Sequence, residues 1–174
     1  RLALEEACRF FERSLAGIEG EVARDYLARR GMTASEIAAF RLGFGPASRN
    51  ALRQHLSRAG FTDEEMAEAG LLIHGPDIAV PYDRFRGRVI FPIRDQKDRV
   101  IAFGGRALSP DQQPKYLNSS DTLLFHKGQV LYNFGPARRA AHDAKELVVA
   151  EGYMDVIALS RAGMPYSVAP LGTA

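Results

Sequence analysis

The sequence predicts an α+β protein, and three changes of residue pattern along its 174 residues support this. Residues 1–72 carry apolar side chains at helical spacing, which predicts an almost wholly helical segment. From Ile78 onward, the sequence becomes rich in β-branched and aromatic side chains separated by polar turns, which predicts a small mixed or antiparallel β region. The last part alternates strand and helix patterns, as an α/β unit does. We therefore expect two domains, residues 1–143 and residues 144–174.

The helical segment carries its own start and stop signals. Thr33-Ala-Ser-Glu36 and Thr62-Asp-Glu-Glu65 each match a capping box, whose first and fourth residues satisfy free amides at a helix start. Glycines follow the apolar runs, as is typical of helix ends. Leu42-Gly-Phe-Gly-Pro46 interrupts the helical pattern and predicts a bend or a short strand. The predicted helices start at Leu2, Glu21, Thr33, about Asn50 and Thr62.

Two runs in the β region predict an antiparallel hairpin. Arg88–Ile93 and Val100–Phe103 favour strands, and residues 95–98 between them form a polar turn of hairpin length. We expect Pro92 to lie at an edge or a bulge, because its nitrogen cannot donate to a strand ladder. We expect Gly104-Gly105 to end the second strand and to let the backbone approach a ligand closely.

The stretch from residue 107 to residue 128 shows no regular period and predicts a long loop. Loops of this length in compact domains are usually functional or disordered. The mixture of basic, aromatic and amide side chains favours a functional loop here. The candidate binding residues in and beside it are Arg106, Lys115, Tyr116, Asn118 and Lys127.

A short apolar run near the end of the chain stops on the carboxylate of Glu151. The pattern predicts a buried strand, a turn and a helix with Met154, Ile157 and Ala158 on its apolar face. Asp155 falls on the first turn of that helix, close to Glu151. Ligands bind at the carboxyl ends of strands in open α/β sheets, so two acids at this place indicate a divalent cation. The alternative is that both acids serve only capping and the helix dipole.

Composition excludes several classes of protein. The net charge is +2 and the hydrophobic content is 46%, which is ordinary for a globular chain in water. No apolar run approaches the roughly 18 residues that a membrane span needs. Cys8 is the single cysteine, which excludes a disulfide framework and favours a reducing, cytoplasmic setting. The four histidines lack the spacing of zinc ligands.

The charge is unevenly distributed along the chain. Residues 84–127 hold nine Lys or Arg against four acids. Such a segment indicates a groove that binds a polyanion, and the alternative is an ordinary solvated face. Arg84, Arg86 and Arg88 either extend that groove or are only solvated.

Six stretches of the sequence, taken in order, resemble one family, the bacterial DNA primases, in the polymerase core that contains a Toprim fold. A Glu-Gly pair after a strand is shared with other Toprim proteins, whereas the ordered set is more specific. The resemblance implies that residues 144–174 begin an incomplete, Rossmann-like Toprim fold. The six stretches are Arg88–Ile93, Phe103–Arg106, Pro114–Ser119, Phe125–Gly128, Glu151–Asp155 and Leu171–Thr173.

The resemblance implies a function for the parent protein. It implies synthesis of short RNA primers on single-stranded DNA templates from ribonucleoside triphosphates, by metal-dependent nucleotidyl transfer. The implied cofactor is Mg²⁺ or Mn²⁺, which suits carboxylates and phosphates. The implied location is the bacterial cytoplasm, at the replication fork. The implied partner is the replicative helicase, contacted through a region absent from this chain, and zinc belongs only to a module that is also absent.

The resemblance also implies roles by motif position. Glu151 matches the Toprim glutamate that binds metal and acts in proton transfer, and Asp155 matches the nearby acid. Both are therefore candidate catalytic and metal-binding residues. The candidate nucleotide- and nucleic-acid-binding residues are Arg106, Lys115, Tyr116, Asn118, Lys127 and, as a less specific match, Arg30.

The metal site is expected to be incomplete. Toprim folds carry further acids in an Asp-x-Asp pattern on a later strand, and the sequence ends at Ala174 without that pattern. We therefore expect a fragment of a longer protein that does not polymerise alone. The alternative function is a nucleic-acid- or nucleotide-binding module of another Toprim protein.

Overall fold

The computed structural model describes residues 1–172 and confirms the predicted α+β class. Within these residues, no helix is long and apolar enough to cross a membrane. Turns of 3-10 helix occur at Ile18–Gly20 and Lys127–Gln129. The α-helices are α1 (Leu2–Ala16), α2 (Glu21–Arg29), α3 (Ala34–Ala39), α4 (Ala51–Arg58), α5 (Asp63–Glu68), α6 (Phe134–Ala144) and α7 (Tyr153–Arg161). The β-strands are β1 (Gly43–Gly45), β2 (Leu72–Ile73), β3 (Tyr82–Asp83), β4 (Arg88–Arg94), β5 (Val100–Ala107), β6 (Tyr116–Asn118), β7 (Leu131–Tyr132), β8 (Val148–Val149) and β9 (Ser167–Pro170).

A four-stranded antiparallel sheet with the order β1-β4-β5-β6 lies at the centre of the molecule. β4 and β5 form the predicted hairpin, with Arg88 opposite Ala107 and Phe91 opposite Gly104. Nearly every residue of both strands is buried. The sheet is therefore covered on both faces, and this explains why its strands read as continuous apolar runs without polar alternation.

Alternate residues of β4 face two different layers, because successive side chains of a strand point to opposite sides. Phe91 and Ile93 belong to the same core cluster as Tyr153 of α7. Ile90 belongs to a second cluster with Phe11 of α1. One face of the sheet thus packs against α1, α4 and α5, and the other face packs against the α/β unit together with α2 and the residues around α3.

Local signals formed as predicted in the helical segment. The Thr33 hydroxyl accepts from the Glu36 amide at 3.2 Å, and the Glu36 carboxylate accepts from the Thr33 amide at 2.9 Å. The second capping box, between Thr62 and Glu65, has the matching distances of 3.2 and 2.8 Å. Cys8 is buried in α1, and burial raises the pKa of its thiol to about 12. It packs as a small protonated side chain.

The α/β unit forms a three-stranded sheet with the order β7-β9-β8. β8 and β9 are parallel, with Val148 opposite Ser167, and α7 connects them as a β-α-β unit requires. Arg161 near the end of α7 donates to the Glu36 carboxylate at the start of α3, at 2.6 and 3.1 Å. This ion pair ties the α/β unit to the helical segment.

The strand before Glu151 was predicted to be buried, and this prediction was wrong. β8 spans two residues, and Val149 is 66% exposed. The reason is that, among residues 1–172, β8 has a neighbouring strand on one side only. An edge strand with a single partner leaves side chains open to solvent.

The buried face of α7 also differs from the predicted one. Ile157 is buried as expected, whereas Met154 is only half-buried and Ala158 is exposed. Tyr153 and Val156 occupy the core face in their place. The helix begins at Tyr153, and its packing against Phe91 sets the rotation of the helix.

The ends of the β hairpin differ from the prediction in two ways. Gly104-Gly105 does not end β5, which continues to Ala107 because β6 pairs with it. β6 itself lies in the stretch predicted to be a loop.

Pro92 lies in an interior strand, but the pairing of β4 with β1 stops at Ile90. The missing N–H of Pro92 therefore breaks no ladder bond. A register shift, the irregularity expected near a strand proline, follows between residues 93 and 94.

Candidate active site

A cleft of about 370 Å³ lies between the four-stranded sheet and the α/β unit. β6 forms one wall, and the start of α7 with the end of β9 forms the other. The cleft brings together four predicted site residues from two distant stretches of the sequence. Its lining residues are Tyr116, Asn118, Glu151, Gly152, Tyr153, Asp155, Pro170, Leu171 and Gly172.

Two of the four predicted residues are the carboxylates. Glu151 lies in the turn between β8 and α7, and Asp155 lies on the first turn of α7, as predicted. A β-carbon at Gly152 would lie 3.7 Å from Asp155 Oδ2, so this carboxylate lies next to the start of the helix. The dipole of α7 favours negative charge there. Both acids are exposed, so their oxygens are open to a ligand in the cleft.

The other two predicted residues lie on β6. Tyr116 and Asn118 are two positions apart and therefore share one face of the strand. Tyr116 is 42% exposed, so part of this residue is open to solvent in the cleft. The Asn118 side chain donates from Nδ2 to the main-chain carbonyl of Leu171 and accepts at Oδ1 from the Tyr153 hydroxyl.

Basic and aromatic side chains continue along the β6 side of the cleft. The Arg106 guanidinium lies 4.9 Å from the ring centre of Tyr26 and 6.0 Å from that of Tyr116. Arg30 lies 5.8 Å from the same Tyr26 ring, and the Lys115 ammonium lies 6.0 Å from the Tyr116 ring. These are cation–π distances. The structure thus brings Arg30 and Arg106 together through Tyr26, which sequence analysis did not single out.

Two arginines of the basic segment support β6 through hydrogen bonds to main-chain carbonyls. Arg88 is buried, and its Nη1 donates to the carbonyls of Gly105 and of residues 114–115, at 2.8 to 3.4 Å. Arg84 donates to the main-chain carbonyl of Asn118. Burial lowers the pKa of both guanidinium groups. For Arg88, burial contradicts the prediction of a solvated side chain.

Two other basic residues lie away from the cleft lining. The Arg86 guanidinium lies 5.0 Å from the ring centre of Tyr82. Lys127 is exposed on the second 3-10 turn, and its amide donates to Asp121 Oδ1 at 3.2 Å. Lys127 is not among the residues that line the cleft.

Tyr153 is a residue of the site that sequence analysis did not predict. Its ring stacks on Phe91 with 4.8 Å between centres and 8° between planes. Burial raises the pKa of its hydroxyl, so the hydroxyl stays protonated and can donate to Asn118. The signal in the sequence was its position between the two predicted acids.

Glu151 and Asp155 fit one part of a divalent cation site. Mg²⁺ takes oxygen ligands, commonly one or two carboxylates together with water and substrate phosphates. Across residues 1–172, no group of three or more His, Cys, Asp or Glu side chains is placed to hold a metal ion. Two carboxylates alone are fewer oxygen ligands than such a cation takes, and that the metal site is incomplete stays a prediction.

Comparison with known proteins identifies the family of this chain. The family model of the DNA primase catalytic core, N-terminal domain, matches residues 10–138, well over half of the chain. The chain belongs to the DNA primase catalytic core family. A Toprim domain model matches residues 145–174. Thr173, in the last of the primase-like motifs, lies outside the described residues.

Similar primases cover almost the whole chain. The DNA primase of Pseudomonas aeruginosa is 46% identical over 172 residues, which are 98% of this chain and 26% of that protein. The RNA polymerase domain of Mycobacterium tuberculosis primase DnaG superposes with a TM-score of 0.93 at 38% identity, covering 99% of this chain and 56% of that one. A DnaG primase catalytic domain bound to single-stranded DNA gives 0.85 at 42% identity, with coverage of 99% and 53%.

The coverage limits what these similarities transfer. The chain spans about a quarter of the length of the curated primases that it matches. Membership of a Toprim-containing primase family implies metal dependence in general terms. Glu151 and Asp155 line the cleft with exposed carboxylates, which are oxygen ligands of the kind that a hard cation takes.

Proposed function

We propose that this chain is the N-terminal part of a primase catalytic core, which synthesises short RNA primers on single-stranded DNA by nucleotidyl transfer. The observation that carries the proposal is the cleft, where Glu151 and Asp155 line the same space as Tyr116 and Asn118. Carboxylates for a cation on one wall and polar and aromatic groups on the other suit a nucleotide with its charged triphosphate. The family membership supports the same reading.

The β6 wall binds the polyanions in this proposal. Arg106, Lys115 and Arg30 contact phosphates of the incoming ribonucleoside triphosphate and of the nucleic-acid backbone. Tyr116 stacks on a base, which every base permits because each has a π face. Lys127, outside the cleft, contacts the strand further along its path. The similar catalytic domain solved with single-stranded DNA supports a single-stranded template as the partner.

The carboxylate wall serves the chemistry. Glu151 and Asp155 would hold Mg²⁺ or Mn²⁺, both hard cations that accept oxygen ligands. When bound, such a cation neutralises phosphate charge and helps to align the attacking 3′-hydroxyl with the leaving pyrophosphate. Glu151, in the turn before α7, also accepts the proton that the 3′-hydroxyl loses. Asn118 and Tyr116 hold the nucleotide against this wall.

The chain is proposed to bind these ligands without completing the reaction. The two carboxylates are a partial metal site, so polymerisation requires the rest of the parent protein. We propose that the N-terminal subdomain ends at residue 143 and that the Toprim portion starts at residue 144. The parent protein acts in the bacterial cytoplasm with a replicative helicase that it contacts through another region.

The test uses Glu151→Gln in the full-length protein. Loss of this ligand removes several kcal/mol of charge stabilisation, and each 1.36 kcal/mol is a factor of ten in rate, so primer synthesis should fall at least about 100-fold. The measurement is incorporation of labelled ribonucleotides on a single-stranded template. Glu19→Gln, at an exposed acid outside the cleft, is the matched control. Undiminished synthesis by Glu151→Gln would contradict the proposal.

A further inference from the structure

We propose that Tyr153 is a positioning residue that holds the two walls of the cleft at a fixed spacing by binding the side chain of Asn118. This inference rests on the proposed primase function and adds a residue that acts through another residue. Tyr153 is only 6% exposed, so most of its surface packs against protein. Its hydroxyl is the part that reaches the opposite wall.

Tyr153 packs across three residues that lie side by side on neighbouring strands of the central sheet. Phe91 of β4 lies opposite Gly104 of β5, and Gly104 lies opposite Asn118 of β6. The Tyr153 ring stacks on Phe91, and its hydroxyl crosses Gly104 to bind Asn118. A β-carbon at residue 104 would overlap the Tyr153 hydroxyl and its ring carbon, so the position requires glycine. A glycine inside a strand commonly marks such a close approach.

The direction of each hydrogen bond in this contact is determined by its partners. The main-chain carbonyl of Leu171 can only accept, so the amide nitrogen of Asn118 must face it. The amide oxygen of Asn118 therefore faces Tyr153, whose hydroxyl must donate. Both ends of the Asn118 side chain are thus held by residues of the α/β unit. We name this set of contacts, from Tyr153 through Asn118 to Leu171, the latch.

The latch joins the elements that line the cleft. Tyr153 begins α7, two residues after Glu151 and two before Asp155. Asn118 belongs to β6, and Leu171 follows β9. Removal of the Tyr153 hydroxyl therefore changes the spacing between the carboxylates and β6, while it leaves both carboxylates and the β6 side chains intact. A misplacement of about 1 Å can cost an enzyme roughly 100-fold in rate.

The experiment compares Tyr153→Phe with wild type in the full-length protein. The measurement is single-turnover addition of one nucleotide to a preformed primer and template. We expect a rate constant lower by between about 10- and 100-fold, with the amplitude of wild type. A purely structural role would reduce the amplitude, which reports the folded fraction, and leave the rate constant unchanged. That second result would overturn the inference.

Tyr132→Phe is the matched control. The Tyr132 ring packs edge-on against Tyr153 at 4.7 Å, and its buried hydroxyl has no hydrogen-bond partner among the described residues. Its removal deletes the same atom from the same aromatic cluster without breaking the latch. We expect a rate constant within about twofold of wild type, because an unpaired buried hydroxyl contributes no hydrogen bond. A loss equal to that of Tyr153→Phe would overturn the inference.

Asn118→Ala tests whether Tyr153 acts through Asn118. In the Asn118→Ala protein, adding Tyr153→Phe should cause no further loss of rate, because the hydroxyl no longer has its acceptor. The same additional loss in both backgrounds would contradict action through Asn118. This comparison separates the latch from any independent effect of the Tyr153 hydroxyl.

Hydrogen exchange provides a readout that does not need catalysis. Amides in residues 167–172 should exchange faster in full-length Tyr153→Phe than in wild type, and at the wild-type rate in Tyr132→Phe. Equal exchange in all three proteins would overturn the latch.

The outcomes distinguish the latch from the primase function. An inactive wild-type protein with the expected exchange pattern would count against the primase function alone. An active wild type with an unchanged Tyr153→Phe rate would count against the latch alone.

Discussion

Arg84 donates two hydrogen bonds to the main-chain carbonyl of Asn118, from Nε at 3.2 Å and from Nη2 at 2.7 Å. The same Asn118 binds Tyr153 and Leu171 with its side chain. Main chain and side chain of this residue are thus held by different parts of the fold. The β6 wall of the cleft is therefore held in place by specific hydrogen bonds, although its sequence pattern predicts a loop.

Arg84→Met should destabilise the protein by about 1.5 to 3 kcal/mol, the range for hydrogen bonds to a charged group. The substitution keeps the apolar stem and removes both donors, which leaves the Asn118 carbonyl unpaired. The measurement is urea unfolding of the full-length protein, followed at the transition of the catalytic core. Arg9→Met, which removes an exposed arginine from a surface pair, should stay within about 0.5 kcal/mol of wild type. Equal effects of the two substitutions would contradict a structural role for Arg84.

The Asp83 carboxyl should make the free energy of unfolding depend on pH, with a contribution that is lost as the pH rises. The Asp83 carboxylate accepts from the amides of Leu52 and Arg53 at the start of α4, and burial raises its pKa from 3.8 to about 6. The folded state therefore binds this proton more tightly than the unfolded state does. The stabilisation from protonated Asp83 is full below about pH 4 and is lost as the pH rises through about 6.

Asp83→Asn isolates that contribution, because the neutral amide keeps an acceptor for α4 and does not titrate. The unfolding free energy of wild type relative to Asp83→Asn should fall by up to about 3 kcal/mol between pH 4 and pH 7. The measurement is thermal or urea unfolding of both proteins at matched pH values. A difference that is constant with pH would contradict the raised pKa of Asp83.

At position 41, glycine should destabilise the protein no more than alanine does, which reverses the usual order of these two substitutions. Arg41 has a left-handed backbone with φ of +54°, and its guanidinium binds Glu5 and Glu12 at 2.9 to 3.1 Å. Alanine and glycine both lose these contacts, but alanine keeps the strain of about 1 kcal/mol that a left-handed residue bears. Arg41→Gly should therefore unfold at a temperature equal to or above that of Arg41→Ala. Ala28→Gly, in the last turn of α2, should show a loss of at most about 1 kcal/mol, because Ala28 has an ordinary helical backbone.

The basic residues of the site should contribute to DNA binding in a salt-dependent way. Arg106→Ala, Lys115→Ala and Lys127→Ala should each weaken binding of single-stranded DNA and reduce the slope of log affinity against log salt by about 0.7. The measurement is fluorescence anisotropy with a labelled oligonucleotide across a salt series. Lys97→Ala, in the exposed turn between β4 and β5, is the matched control and should keep the wild-type slope. Wild-type affinity and slope in all three site variants would mean that the basic segment is an ordinary surface.

Sequence patterns predicted the features whose partners lie close together in the chain. The two capping boxes, the hairpin of β4 and β5 and the place of Asp155 on the first turn of α7 all follow from residues a few positions apart. The resemblance to primases added the prediction that Glu151 and Asp155 act together with the basic segment, residues 84–127. The sequence did not predict β6, because three residues without an apolar period carry no strand signal by themselves.

By itself, then, the sequence determined the fold class and the family, and it predicted which residues bind a cation and phosphates. Only the tertiary structure decided which of those residues share one cleft, that Arg84 and Arg88 hold β6, and that Tyr153 reaches Asn118. The physical reason is that these outcomes depend on long-range contacts. Gly104 matters only because Phe91, Asn118 and Tyr153, which are distant in the chain, meet around it.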